Sequence, residues 1–120
     1  MQILQKHAPA LRIRAGHLAR ELILEQGLQP EQVNIVPGAA GGPKGIGIQG
    51  LDQAIFGEFF SRAPQRRTLV GSSIGSWRFA SVAAWGAKAG TERLADLYTH
   101  LYFHKKMTRK EVSDVCRGML

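Results

Sequence analysis

The sequence predicts an α/β chain, a three-layer α/β/α arrangement with a mostly parallel sheet that is incomplete in these 120 residues. Three observations lead there. Short β-branched runs alternate with longer apolar-periodic segments, the pattern of parallel strands joined by helical crossovers. Each run passes directly into a glycine-rich turn that opens a helix, which places both turns at one edge of the sheet. Only two runs read as strands, and two parallel strands leave open edges that demand hydrogen bonds. The chain therefore reads as the N-terminal portion of a longer domain.

The elements follow in order. Within a helical lead-in over about residues 1–30, Pro9 starts a pattern in which Leu11, Ala15, Leu18 and Leu22 recur at helical spacing, and Gly27 marks its end. Gln29-Pro30-Glu31 is a turn, and Val33-Asn34-Ile35-Val36 a short strand. A loop runs from Pro37 to Gly45, then a helix from Ile46 to Phe60 with Ile48, Leu51, Ile55 and Phe59 along one stripe. The basic stretch Arg62 to Arg67 leads into the strand Thr68-Leu69-Val70. From Ile74 to about Lys88 the residues are small and apolar, so the spacing predicts a helix buried on much of its surface, with Trp77 and Trp85 in its packing and Gly90 closing it. Glycines 45, 47 and 50 are expected to let their helix pack closely on the sheet. Thr91 is expected to cap a helix through about Lys106, in which Tyr98, Tyr102 and Phe103 pack at helical spacing. Thr108 and Glu111 have capping-box spacing for a last helix toward Val115. A unit over about residues 33–90 thus carries the strands, with a helical segment over 91–120.

Chemistry is written at two places. Gly71-Ser72-Ser73-Ile74-Gly75 matches G-x-S-x-G, in which a sharp strand-to-helix turn holds a serine hydroxyl above the end of the sheet. Glycines at Gly71 and Gly75 give room for that backbone. The plain alternative is a glycine turn whose serines cap a helix. The loop Ala40-Gly41-Gly42-Pro43-Lys44-Gly45 also follows a strand and opens a helix, so its backbone N–H groups can converge on an anionic oxygen. Donors aimed at a developing oxyanion are worth roughly 2.7–4 kcal/mol each. A nucleophile and such a loop facing each other at one sheet edge are what acyl transfer requires.

The pair resembles the patatin-like phospholipase family, whose members carry a G-G-G-x-R-G loop and a G-x-S-x-G elbow about one crossover later. The resemblance covers about residues 33 to 90. It implies a lipid acyl hydrolase in which Ser73 is the nucleophile and Gly41, Gly42, Lys44 and Gly45 belong to the oxyanion loop. Lys44 stands where the family has arginine, which keeps the charge but loses the bidentate fork; Ala40 stands where it has the first glycine. The family's base is an aspartate in a later D-G-G or D-G-A motif. The aspartates here are Asp52, Asp96 and Asp114, and none precedes glycine. The resemblance thus implies that the base lies in a missing C-terminal part of the same domain, and that the 120 residues alone are inactive. A non-catalytic binding or regulatory role that keeps the elbow as architecture is the competing expectation, and a different serine esterase a further one.

Other signals are weaker. Gly45, Gly47 and Gly50 spell a dinucleotide fingerprint, but inside a predicted helix and with no acidic residue to hold a ribose. Lys44 lies between Pro43 and Gly45, which excludes a P-loop. Asp96, His100 and His104 have the order of a conventional triad yet share one predicted helix, and the histidine pair lacks a third metal ligand. No metal or other cofactor is expected. The net charge of +7 favours anionic partners; without a nucleic-acid-reading motif, a lipid or other ester substrate is expected. Lys105, Lys106, Arg109 and Lys110 read either as a solvated helix junction or as contact with anionic headgroups. Cys116 is the single cysteine, the N-terminus does not read as a signal peptide, and no apolar run approaches the roughly 20 residues of a membrane span. The expectation is cytoplasmic, with peripheral membrane contact.

Overall fold

The computed structural model describes residues 11–119. Its centre is a two-stranded parallel sheet of β1, Ile35–Gly38, and β2, Thr68–Gly71, with Ile35 opposite Thr68 and Gly38 opposite Gly71. Mixed helix and parallel strand make the chain α/β. The first strand lies two residues later than the Val33–Val36 run predicts and includes Pro37. Proline is tolerated there because among the described residues β1 has one partner, so its other edge requires no ladder hydrogen bond.

The chain enters through α1, His17–Gln26. The expected start at Pro9 lies outside the described residues, and 11–16 are not helical. No residue of α1 is buried, and Leu18 is 80% exposed, so its leucine stripe has no partner. Arg67 ties the following segment to the sheet. Its guanidinium donates to the carbonyls of Pro30, Val33 and Ala63 and lies 4.1 Å from the centre of the Phe60 ring.

Between the strands the expected continuous helix is broken. It comprises α2, Lys44–Gly47; α3, Gln49–Asp52; a π-helical stretch Gln53–Phe59; and a 3-10 turn, Phe60–Arg62. The break falls at Ile48, whose φ of -101° and ψ of 17° leave the helical region. The interruption changes which side chains are covered: Gly45, Asp52 and Phe60 are buried, whereas Ile48 is exposed. Leu51, Ile55 and Phe59 instead line an apolar groove of about 500 Å3 together with Leu28, Ile35 and Pro37.

The core lies where α4, Ile74–Trp85, meets both strands. Phe79 packs beneath Gly38 and edge-on to Phe56, which in turn meets Phe60. The helix stops earlier than predicted, at Gly86, whose φ of 83° suits glycine. A new helix, α5, Ala87–Thr99, then folds back on α4. Gly90 therefore does not end a helix. It sits where α5 crosses α4, so close that a Cβ would strike the Ser81 carbonyl. Thr91 is likewise not a cap: buried inside α5, its hydroxyl donates toward Ala87 and Lys88 and accepts from Gln53 Nε2 at 2.9 Å.

The expected helix through Lys106 ends at Thr99, so His100 and His104 do not share a helix face, and Tyr102 and Phe103 stand exposed on a connector. Trp85 is also outside the core, 45% exposed with the Arg93 guanidinium stacked 4.6 Å from its ring centre. The last helix, α6, Arg109–Arg117, begins with the expected capping box. No helix among the described residues is long and apolar enough to cross a membrane.

Candidate active site

The sharpest feature of the backbone is at Ser73. Ser72 to Gly75 form a turn closed by the Gly75 N–H donating to the Ser72 carbonyl at 3.0 Å. Ser73 occupies its first central position with φ 52° and ψ -122°, the geometry of a type II′ turn, where glycine is the usual residue. Among the described residues it is the single non-glycine with positive φ. Holding a serine there costs on the order of 1–3 kcal/mol and requires the surroundings to over-determine it.

Those surroundings are the two glycines. A Cβ at Gly71 would collide with the backbone of Ser76, and one at Gly75 with the carbonyl oxygen of Gly38. The start of α4 is therefore seated against the ends of both strands, and the Ser72 N–H donates to the Gly38 carbonyl at 2.9 Å. Ser73 lies at the helix N-terminus, yet its side chain makes no capping hydrogen bond. Ser73 is exposed. The hydroxyl thus serves neither as cap nor as core.

Because β1 and β2 run parallel, the chain leaves both at the same edge, so the loop after Gly38 and the turn after Gly71 are neighbours. They interlock at Gly45, where a Cβ would lie 2.6 Å from Cγ1 of Ile74, the residue that follows Ser73. Gly42 has φ 54°, and the Tyr98 hydroxyl from α5 stands 4.0 Å from where a Cβ on it would be.

The loop's donors are not equivalent. The N–H groups of Lys44 and Gly45 are spent on the Gly41 and Gly42 carbonyls, at 3.3 and 3.0 Å. Among the described residues the N–H groups of Gly41 and Gly42, like those of Ala39 and Ala40 before them, have no backbone acceptor and are free to donate. The Ile74 N–H, in the first turn of α4, is similarly free. Sequence reading passed over it, although the position after the nucleophile in G-x-S-x-G was a sufficient signal. The Lys44 side chain is exposed and supplies local positive charge.

Sequence reading also passed over Arg78. Asp52 is buried and bound to Arg78 through two hydrogen bonds of 2.7 and 2.5 Å, so its carboxylate is committed. Gly45 borders the same pair, since a Cβ there would lie 3.3 Å from Arg78 Cδ. The pair joins the segment that follows the glycine loop to the helix that follows Ser73. The other two glycines of the fingerprint, Gly47 and Gly50, have open space where a Cβ would sit, so close packing accounts for Gly45 alone, and against α4 rather than the sheet.

Asp96 and His100 are exposed on α5 and contact each other, with His100 Nδ1 3.4 Å from Asp96 Oδ1. Neither is joined to Ser73. Among the described residues no carboxylate or imidazole is hydrogen-bonded to the Ser73 hydroxyl, and no group of three metal-ligating side chains forms. No protein-family model, curated protein or solved structure matches the chain.

Proposed function

We propose that this chain supplies the nucleophile and oxyanion loop of a patatin-like lipid acyl hydrolase, acting in the cytoplasm within a three-layer α/β/α domain. The observation that carries the reading is Ser73 itself: an exposed serine held at positive φ between a strand and a helix, its hydroxyl uncommitted, with a glycine loop packed against the same turn. Strain of this kind at a polar residue marks function more often than architecture.

In this mechanism Ser73 Oγ attacks an ester carbonyl of a lipid while an aspartate takes the hydroxyl proton. The carbonyl oxygen becomes an oxyanion held by the Gly41 and Gly42 N–H groups, with Ile74 N–H as a third donor. Collapse expels the alcohol, which receives the proton from the aspartate, and water then releases the fatty acid from Ser73. The aspartate is provided by a part of the domain outside these 120 residues. The open sheet edges and the apolar groove beside β1 support such an addition.

The absence of a base bonded to Ser73 among the described residues favours a second reading, in which the turn persists in a binding protein without turnover. Fluorophosphonate labelling beside hydrolysis of a short-chain p-nitrophenyl ester separates the two. The protein carrying the downstream aspartate should label at Ser73 and turn over; residues 1–120 alone should do both poorly. Labelling and turnover that both survive Ser73→Ala reject the hydrolase.

A further inference from the structure

From the connector between α5 and α6 we infer a docking surface for an anionic phospholipid bilayer. The run Leu101 to Lys110 contains Lys105, Lys106, Arg109 and Lys110 and no acidic residue. It also carries two adjacent aromatic side chains in water, Tyr102 at 76% and Phe103 at 48% exposure. Aromatic rings beside a cluster of cations fit the interface of an anionic membrane, where rings enter the headgroup layer and ammonium groups meet phosphates.

The local charges are free for that use. Glu111, the first carboxylate after the run, is turned back onto Thr108, accepting from its N–H at 2.7 Å and its hydroxyl at 2.8 Å. Lys110 reaches Asp114 only at 3.9 Å, with both side chains at least half exposed. Among the described residues Lys105, Lys106 and Arg109 have no carboxylate at ion-pair distance. A polyanion such as nucleic acid would also meet this charge, but two adjacent exposed rings, Tyr102 and Phe103, favour an interface that takes up apolar groups.

The run begins at Leu101, three residues after Tyr98, whose hydroxyl stands beside Gly42. Any link between membrane binding and catalysis rests on the hydrolase reading, whereas binding itself does not.

The test is co-sedimentation of the full chain with phosphatidylcholine vesicles containing about 30% phosphatidylserine, against phosphatidylcholine alone. Binding should require phosphatidylserine and weaken between about 0.1 and 0.5 M salt. Lys105→Ala with Lys106→Ala should lower partitioning roughly 25-fold, at about fivefold per cation. Tyr102→Ser with Phe103→Ser should lower it roughly tenfold without any change in charge. Arg20→Ala with Arg66→Ala, a charge-matched change at exposed sites elsewhere, should shift it by less than about threefold, and circular dichroism should show all variants folded. Ser73→Ala should bind like the parent, so an inactive protein that still binds refutes the hydrolase alone. Equal losses in the charge-matched control, or binding indifferent to the aromatic pair and matched on duplex DNA, would overturn the membrane surface.

Discussion

Asp52 and Arg78 form a buried two-point ion pair that bolts the segment after the glycine loop to the helix after Ser73, with Nε to Oδ2 at 2.7 Å and Nη2 to Oδ1 at 2.5 Å. Each carboxylate oxygen faces its own nitrogen, so the pair fixes an angle as well as a distance. Removing one partner leaves the other charge buried and unmatched. Arg78→Ala and Asp52→Ala should therefore each lower stability by about 3–5 kcal/mol in urea unfolding. The double change Asp52→Leu with Arg78→Met should cost less than either, because it leaves no orphaned charge. Single-site losses under 1 kcal/mol, or losses that simply add, would show that the pair is not what holds these segments.

Glycines of the same region should divide sharply. Gly75→Ala forces a methyl into the Gly38 carbonyl, and neither backbone can yield without moving β1 or α4. A loss of about 3 kcal/mol, the upper end of the usual range for overpacking, is expected. Gly50→Ala enters open space inside α3 and should raise stability by up to about 1 kcal/mol. Thermal melts of the two variants side by side decide it; similar behaviour of both would refute the seating of α4 on β1.

Ser73→Gly should stabilise the chain by about 1 kcal/mol, since glycine adopts φ 52° and ψ -122° without the clash a Cβ brings. Ser73→Ala keeps the Cβ and should be close to neutral, which separates backbone strain from loss of the hydroxyl. A destabilised glycine variant would mean the turn is not strained.

The capping box of α6 supplies a pH dependence. The Thr108 backbone N–H, and then its hydroxyl, donate to the Glu111 carboxylate and hold its pKa below the ordinary 4.5. A depressed carboxylate contributes stability that is complete above its unfolded-state value and is lost as pH falls through the folded one. Amide protection in α6 should therefore stay level from neutral pH to about 5 and decline below it. In Thr108→Ala the Glu111 titration, followed by carboxyl NMR, should move upward; an unmoved titration would contradict the box.

How much of this was legible follows from the range of each cause. The capping box is written within four residues, because its donors and acceptors belong to one turn of chain, and Thr108-x-x-Glu111 formed as its spacing predicts. The G-x-S-x-G turn is equally local: Ser73 took its strained geometry between a strand and a helix. Glycine, by contrast, is ambiguous locally. Gly90, expected to end a helix, lies inside α5 while Gly86 ends α4, because α5 folds onto Ser81, a contact invisible in the local sequence.

Sequence alone therefore determined the parallel α/β character, the two glycine-bearing turns and the last helix cap, since each depends on backbone geometry and hydrogen bonds among near neighbours in the chain. Only the tertiary structure decided that Asp52 is committed to Arg78 rather than available as a base, that Gly45 rather than Gly47 or Gly50 is a packing glycine, and that the leucines of α1 stay exposed. Those outcomes depend on which distant surface arrives against a residue, and helical periodicity specifies a face without naming its partner.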